Sequence, residues 1–152
     1  MSDLLRLGRL YFVLLAIFAV GRWLLGTSGV PYEKAHQVFS IVILTVLSAI
    51  YYGAFCRAWL GVRVMRAVWI GALFGLASQV VILVATVASY ALGLDTYFNH
   101  PTALQAEAKL AFGTAVGQRL GGLVGNTLFT GIAGALGWSF GGLLPRERPP
   151  SA

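Results

Sequence analysis

The sequence predicts an all-α integral membrane protein, a four-transmembrane-helix bundle that forms one domain over residues 1–152. Two observations favour this fold class. Hydrophobic residues make up 58% of the chain and charged residues only 11%, with a mean hydropathy of +0.80, whereas about a quarter of the residues in soluble proteins are charged. The chain also contains four apolar segments, each long enough to cross the roughly 30 Å hydrocarbon core of a bilayer.

The first apolar segment, 10–25, follows Arg6 and Arg9 and has the composition of a signal peptide. We expect a retained span, because no convincing cleavage site precedes Arg22. The other predicted spans are 38–55, 67–92 and 116–144. The last two are longer than a bilayer requires, so they should tilt or protrude.

A short amphipathic outer helix is predicted over 103–112, before the fourth span. Residues 95–101 are rich in turn formers, and Thr102 and Gln105 have the spacing of a capping box. Because one helix running from 103 to 144 would be about twice as long as the bilayer is thick, a break is expected among the glycines that follow residue 112.

Glycines dominate the fourth span: ten of the nineteen in the chain lie between residues 113 and 142. Such a density disfavours a helix in water, but in lipid the backbone has no alternative partner, and small residues four apart let two helices approach closely. The third span carries a similar stripe that leads to Gln79. We therefore predict helix packing at seven glycines: Gly71, Gly75, Gly113, Gly117, Gly121, Gly125 and Gly134.

Polar side chains within the last two spans are predicted to set the register between them. Aligning the span midpoints places Gln79 near Thr130 and Thr86 near Asn126, where interhelical hydrogen bonds would form. Alternatively, Asn126, Thr127 and Thr130 would line a passive channel. No acidic, basic or histidine side chain is predicted deep in a span, which argues against a proton-coupled transporter.

Positive charges in the loops predict a plasma (inner) membrane protein with both termini in the cytoplasm. The inside segments would carry seven basic residues and the outside segments four: Arg6, Arg9, Arg57, Arg63, Arg66, Arg146 and Arg148, against Arg22, Lys34, Lys109 and Arg119. Because these charges are scattered at helix ends, the net charge of +6 does not indicate nucleic-acid binding. Arg57, Arg63 and Arg66 would either report topology alone or contact anionic lipid. Arg119 would snorkel to the interface, bind an anion or lipid phosphate with the help of Gln118 and His100, or form an ion pair with Glu107.

Candidate sites for chemistry are few. His36 and His100 flank the outer ends of two spans and are weak candidates for binding a metal, haem or pigment, because no ligand motif surrounds them. Ser139 lies in a G-x-S-x-G pattern, but a nucleophile elbow needs a strand-to-helix turn and a nearby histidine. We interpret the pattern as two packing glycines around a helical serine. The single cysteine, Cys56, excludes an internal disulfide.

These observations lead to one preferred function and two alternatives. The preferred function is a non-catalytic membrane subunit that packs through its glycine-rich fourth helix, in a homo-oligomer or a larger membrane complex. Its partners would be membrane lipid and copies of itself or other membrane subunits, and no cofactor is assigned. The alternatives are a small passive channel and a pigment-, haem- or quinone-binding subunit.

Overall fold

The computed structural model of the protein describes residues 6–144, and within this range all regular structure is helical. Four helices are long and apolar enough to cross a membrane, which confirms the predicted all-α, four-span architecture. In chain order the helices are α1 (Arg9–Thr27), the short α2 (Tyr32–Ala35), α3 (Ile41–Ala58), α4 (Val64–Ala91) and α5 (Phe112–Gly141).

Helix α4 is the centre of the bundle, and α1 is its most peripheral span. In the apolar segment of α4, 50% of the residues are buried, whereas in that of α1 only 11% are buried. Helix α5 packs along both α4 and α3, and α1 lies against α3 and α4. The apolar side chains that remain exposed on the four spans are suited to contact lipid, since lipid is as apolar as leucine.

A buried tyrosine fastens α1 to its neighbours. The hydroxyl group of Tyr11 lies 3.0 Å from Thr45 Oγ1 and donates to the Phe74 carbonyl at 2.9 Å. Its ring stacks on Phe74 with a centroid distance of 4.0 Å. Only Tyr11 and Leu15 of α1 are buried, so this contact joins three spans at one point.

The two ends of the bundle differ. The long-loop end carries residues 28–40 and 92–111, and the short-loop end carries residues 59–63 together with both ends of the described chain. At the short-loop end, Trp138 Nε1 donates to the Val62 carbonyl at 2.8 Å and fixes the connection between α3 and α4 to α5.

The ends of the four long helices lie within a few residues of the predicted span ends. Helix α3 begins at Ile41 instead of 38 because the Ser40 side chain caps it, accepting from the Ile43 amide at 3.4 Å. Helix α5 begins at Phe112, four residues before the predicted start of the fourth span.

The predicted outer helix over 103–112 is present only as one 3₁₀ turn, Thr102–Leu104. Gln105 ends this turn in the left-handed conformation, with φ of 50°, which interrupts the helical path that the capping-box spacing suggested. The chain then continues without helix to Phe112. The expected break therefore falls before the glycine-rich stretch and not inside it.

Candidate functional site

Near the short-loop end, the glycines of α5 are close-packed against α3 and α4. A Cβ atom added at Gly137 would overlap the backbone of Ile50, and one at Gly141 would overlap Ala54. Gly134 lies in the same way against Ala67 of α4. Backbones can approach this closely only where side chains are absent, so these glycines are part of the internal packing of the bundle.

Thr130 of α5 packs against the small residues Gly71 and Gly75 of α4. A Cβ atom added at Gly71 would overlap the Thr130 carbonyl, and one at Gly75 would overlap its hydroxyl group. The predicted register, with Gln79 beside Thr130, is therefore wrong by one to two helical turns. The cause is the boundary of α5, which extends further toward the long-loop end than its apolar composition indicated.

Toward the long-loop end, four glycines of α5 have no packing neighbour within residues 6–144. Atoms added as Cβ at Gly113, Gly117, Gly121 and Gly125 would have no neighbour within 4 Å. All four residues are exposed. We call this surface the open glycine face. The seven glycines predicted to pack thus fall into two groups, three in internal contacts and four on an unoccupied helix surface.

The loop after α4 turns back into the bundle. Thr96, Tyr97, Phe98 and Asn99 are each at most 3% exposed. Asn99 holds the turn, because its side chain accepts from the Thr96 amide at 2.8 Å and donates to the Leu94 carbonyl at 2.9 Å. Irregular backbone at such depth is stable only where protein groups satisfy it.

Tyr97 ties this loop to the other loop of the same end. Its hydroxyl group donates to the Val30 carbonyl at 2.9 Å, and burial raises the pKa of the phenol. The hydroxyl therefore keeps its proton, and remains a donor, throughout the physiological pH range. Residues 28–40 and 92–111 are consequently held together as one cap on the bundle.

Arg119 of α5 donates a hydrogen bond to a backbone carbonyl of this buried loop. One terminal nitrogen of its guanidinium group donates to the Phe98 carbonyl at 2.7 Å, and its Nε donates to Thr86 Oγ1 at 3.2 Å. The side chain is half-buried and points into the bundle. Thr86 thus meets Arg119 and not Asn126, which was its predicted partner.

A polar cavity of about 230 Å³ opens beside Arg119, between α4, α5 and the 3₁₀ turn. Its polar lining consists of one guanidinium group and four neutral amides, from Gln79, Gln105, Gln118, Arg119 and Asn126. The sequence had suggested Gln118 beside Arg119, but it had assigned Gln105 only to the capping box of the outer helix. The spacing of Gln118 and Gly122 on one side of α5 was the signal that could have indicated a cavity wall.

The residues predicted to line a channel have different environments. Asn126 borders the cavity, whereas Thr130 is 3% exposed and lies in the contact with α4. Thr127 Oγ1 is buried and has no hydrogen-bond partner within residues 6–144. The three side chains therefore do not share one open surface in this chain.

Both histidines stack against the ring of Tyr32. The Tyr32 ring stacks on His100 at 4.5 Å and on His36 at 5.8 Å between ring centroids. Arg22 contacts the Tyr32 hydroxyl and the His36 carbonyl. Within residues 6–144, no group of three or more histidine, cysteine, aspartate or glutamate side chains is placed to hold a metal ion.

At the short-loop end, the three arginines divide into one packed and two exposed side chains. Arg57 lies over the Trp138 ring, 4.2 Å from its centroid, and Arg63 and Arg66 are exposed. Ser139 is helical and donates to the Ala135 carbonyl at 3.2 Å. Arg146 and Arg148, which contributed to the predicted topology, lie outside the described residues.

Comparison with known proteins gives no relative from which a function could be transferred. No protein-family model matches the chain, and no curated protein or solved structure matches it significantly. The two features of the chain that bear on function are therefore the open glycine face and the polar cavity.

Proposed function

We propose that the protein is a non-catalytic integral membrane subunit that assembles through the open glycine face of α5. The observation that carries this proposal is the absence of any contact within residues 6–144 for a Cβ atom at four glycines spaced four residues apart. The partner is a transmembrane helix, either from a second copy of this chain or from another subunit of a membrane complex.

The glycines of α5 carry an energetic cost. Each glycine in a helix costs about 1 kcal/mol relative to alanine in water. Near the short-loop end, close backbone packing against α3 and α4 offsets this cost. On the open glycine face no contact among the described residues does so, and a neighbouring helix would supply the same close packing.

The side chains around this face also support a helix contact. Leu120, Val124 and Leu128 lie beside the glycines and are 50%, 60% and 65% exposed. These apolar side chains flank a groove in which the backbone is exposed. A second transmembrane helix can pack into such a groove in lipid. No charged side chain of α5 points from this surface, since Arg119 is turned toward Phe98.

We further propose that the bundle resides in the plasma (inner) membrane with its short-loop end in the cytoplasm. The support is the excess of arginine at that end, including the exposed Arg63 and Arg66. The long-loop end, with the cap and the polar cavity, would then face outward. Cysteine-labelling of single sites in 28–40 and 59–63 with a membrane-impermeant reagent tests this orientation.

Native mass spectrometry of protein extracted gently from its own membrane tests the assembly. We expect a particle at an integer multiple of 16.2 kDa, or one that contains other membrane chains. Gly121→Leu should reduce it to the single chain, because the added side chain fills the groove. The Gly121→Leu protein should still insert and fold, since no internal contact is disturbed.

A matched control is Leu47→Phe, which adds bulk on the exposed side of α3, where Leu47 is 61% exposed. It should leave the particle intact. A wild-type protein that is monomeric under gentle extraction would contradict the proposal, and so would an assembly that Gly121→Leu leaves unchanged.

A further inference from the structure

We propose that the polar cavity beside Arg119 binds a phosphate-type oxyanion, either free phosphate or the phosphate of a lipid headgroup. Within the described residues, the one ion pair joins Lys109 to Asp95. The guanidinium group of Arg119 is therefore a half-buried cation with no carboxylate partner. A buried charge without a counter-ion is costly, and an anion in the adjoining cavity would remove that cost.

The hydrogen-bond inventory of Arg119 leaves donors for such a ligand. A guanidinium group has five N–H donors in a planar fork, and the contacts with Phe98 and Thr86 use two of them. These two contacts fix the orientation of the fork against the cavity wall. A fixed guanidinium group with free donors suits an oxyanion, which it can bind in a bidentate manner.

Gln79 contributes a second polar side chain to the cavity. It lies near the middle of α4, is 5% exposed and lines the cavity. Its amide is not among the fully buried polar atoms that lack a partner, so it is open to the cavity space. A bound oxyanion could therefore accept hydrogen bonds from the Gln79 N–H groups.

The amide of Asn126 approaches the same space as that of Gln79. A Cβ atom at Gly122 would lie 3.5 Å from Asn126 Nδ2 and 3.7 Å from Gln79 Oε1. Gly122 therefore keeps open the gap between the two amides. Together with Arg119, they surround this gap with one cationic group and neutral amides and without an acid, which is the composition that an anion site requires.

Size and position agree with a phosphate group. The cavity of about 230 Å³ exceeds the roughly 30 Å³ that a water molecule occupies several-fold. Arg119 lies seven residues inside α5, about 10 Å from the start of the helix. At that depth the cavity is accessible both to solutes at the long-loop end and to headgroups of the adjacent leaflet.

The test uses full-length protein in an uncharged detergent and two probes. Inorganic phosphate is titrated calorimetrically at constant ionic strength, and phosphatidylglycerol retention is counted by native mass spectrometry. Arg119→Gln, which removes the charge but keeps an amide, should weaken binding of the active probe about tenfold or more. Lys34→Gln, which removes an exposed charge from the same end of the bundle, should leave binding unchanged.

Gly122→Val tests the cavity without removing a contact of Arg119. The Cβ atom at this position has ordinary contacts, so the variant should fold even if Arg119→Gln does not, and its side chain should displace the ligand. Sensitivity of phosphate binding to these variants would identify a free anion, and sensitivity of phosphatidylglycerol alone would identify a headgroup. Wild-type protein that binds neither probe, or binding that neither variant weakens, would overturn the proposal.

Discussion

The two halves of α5 use the same residue in opposite ways. Toward the short-loop end, Gly134, Gly137 and Gly141 lie in backbone contact with α3 and α4. Toward the long-loop end, the open glycine face has no contact within the described chain. Glycine content alone therefore does not indicate an interface between chains. What distinguishes the halves is whether the protein itself already fills the groove.

The difference follows from the side of α5 on which each group lies. Gly137 and Gly141 lie beside Ile50 and Ala54 of α3. An α-helix turns by about 100° per residue, so Gly125 lies about 120° and Gly121 about 160° around the axis from Gly137. The open glycine face is therefore the side of α5 that points away from α3 and α4.

The largest expected effect comes from Gly137→Leu, which would force α3 and α5 apart. We expect the variant to lose about 3 kcal/mol of stability or more, as overpacked cores do. The matched variant Gly125→Leu, on the open glycine face, should change the stability of the single chain by less than about 0.5 kcal/mol. Denaturation in mixed micelles measures both; equal losses would remove the distinction between the halves.

An intermediate effect is expected from Trp138→Phe, which removes the hydrogen bond to the Val62 carbonyl. Loss of one such bond costs about 0.5–1.5 kcal/mol, and the loop 59–63 should become more accessible to protease. Proteolysis at the long-loop end should not change. Equal increases in cleavage at 59–63 and at the long-loop end would show that the contact between Trp138 and Val62 does not stabilise the short-loop end separately.

The smallest effect is expected from Gly117→Ala. In the single chain, the substitution should be neutral or stabilising by up to about 1 kcal/mol, because alanine favours a helix and the added methyl group meets no neighbour. In the assembled particle, the same methyl group should weaken association. Measuring stability in dissociating and in mild detergent compares the two states; a destabilised single chain would show that this face has an internal contact.

The four spans could be predicted because lipid exposure leaves a direct signature in composition. The ends of the spans were harder to predict. Val38 and Phe39 are apolar, but they precede the Ser40 cap and therefore lie outside α3. The spacing of Thr102 and Gln105 matched a capping box, yet Gln105 adopts a left-handed conformation. Local patterns of a few residues do not report the loop packing that decides such ends.

The polar cavity could be predicted only in part. Arg119, Gln79 and Asn126 are conspicuous as polar residues in an apolar chain, but their mutual position depends on the register of α4 and α5. That register is set by where Thr130 meets Gly71 and Gly75, a contact between residues far apart in sequence. The buried loop 94–99, which aligns the guanidinium group of Arg119, is likewise a product of tertiary packing.

The hydrogen bond between Arg119 and the Phe98 carbonyl also bears on how the chain enters the membrane. An arginine in an inserting helix is unfavourable, by about 2.5–3.5 kcal/mol at the centre and less toward the ends, and α5 is the least hydrophobic of the four spans. Synthesis proceeds from the N-terminus, so the Phe98 carbonyl is already present when Arg119 arrives. Biogenesis of the fourth span is therefore expected to depend on the preceding hairpin, with α5 a poor inserter when expressed alone.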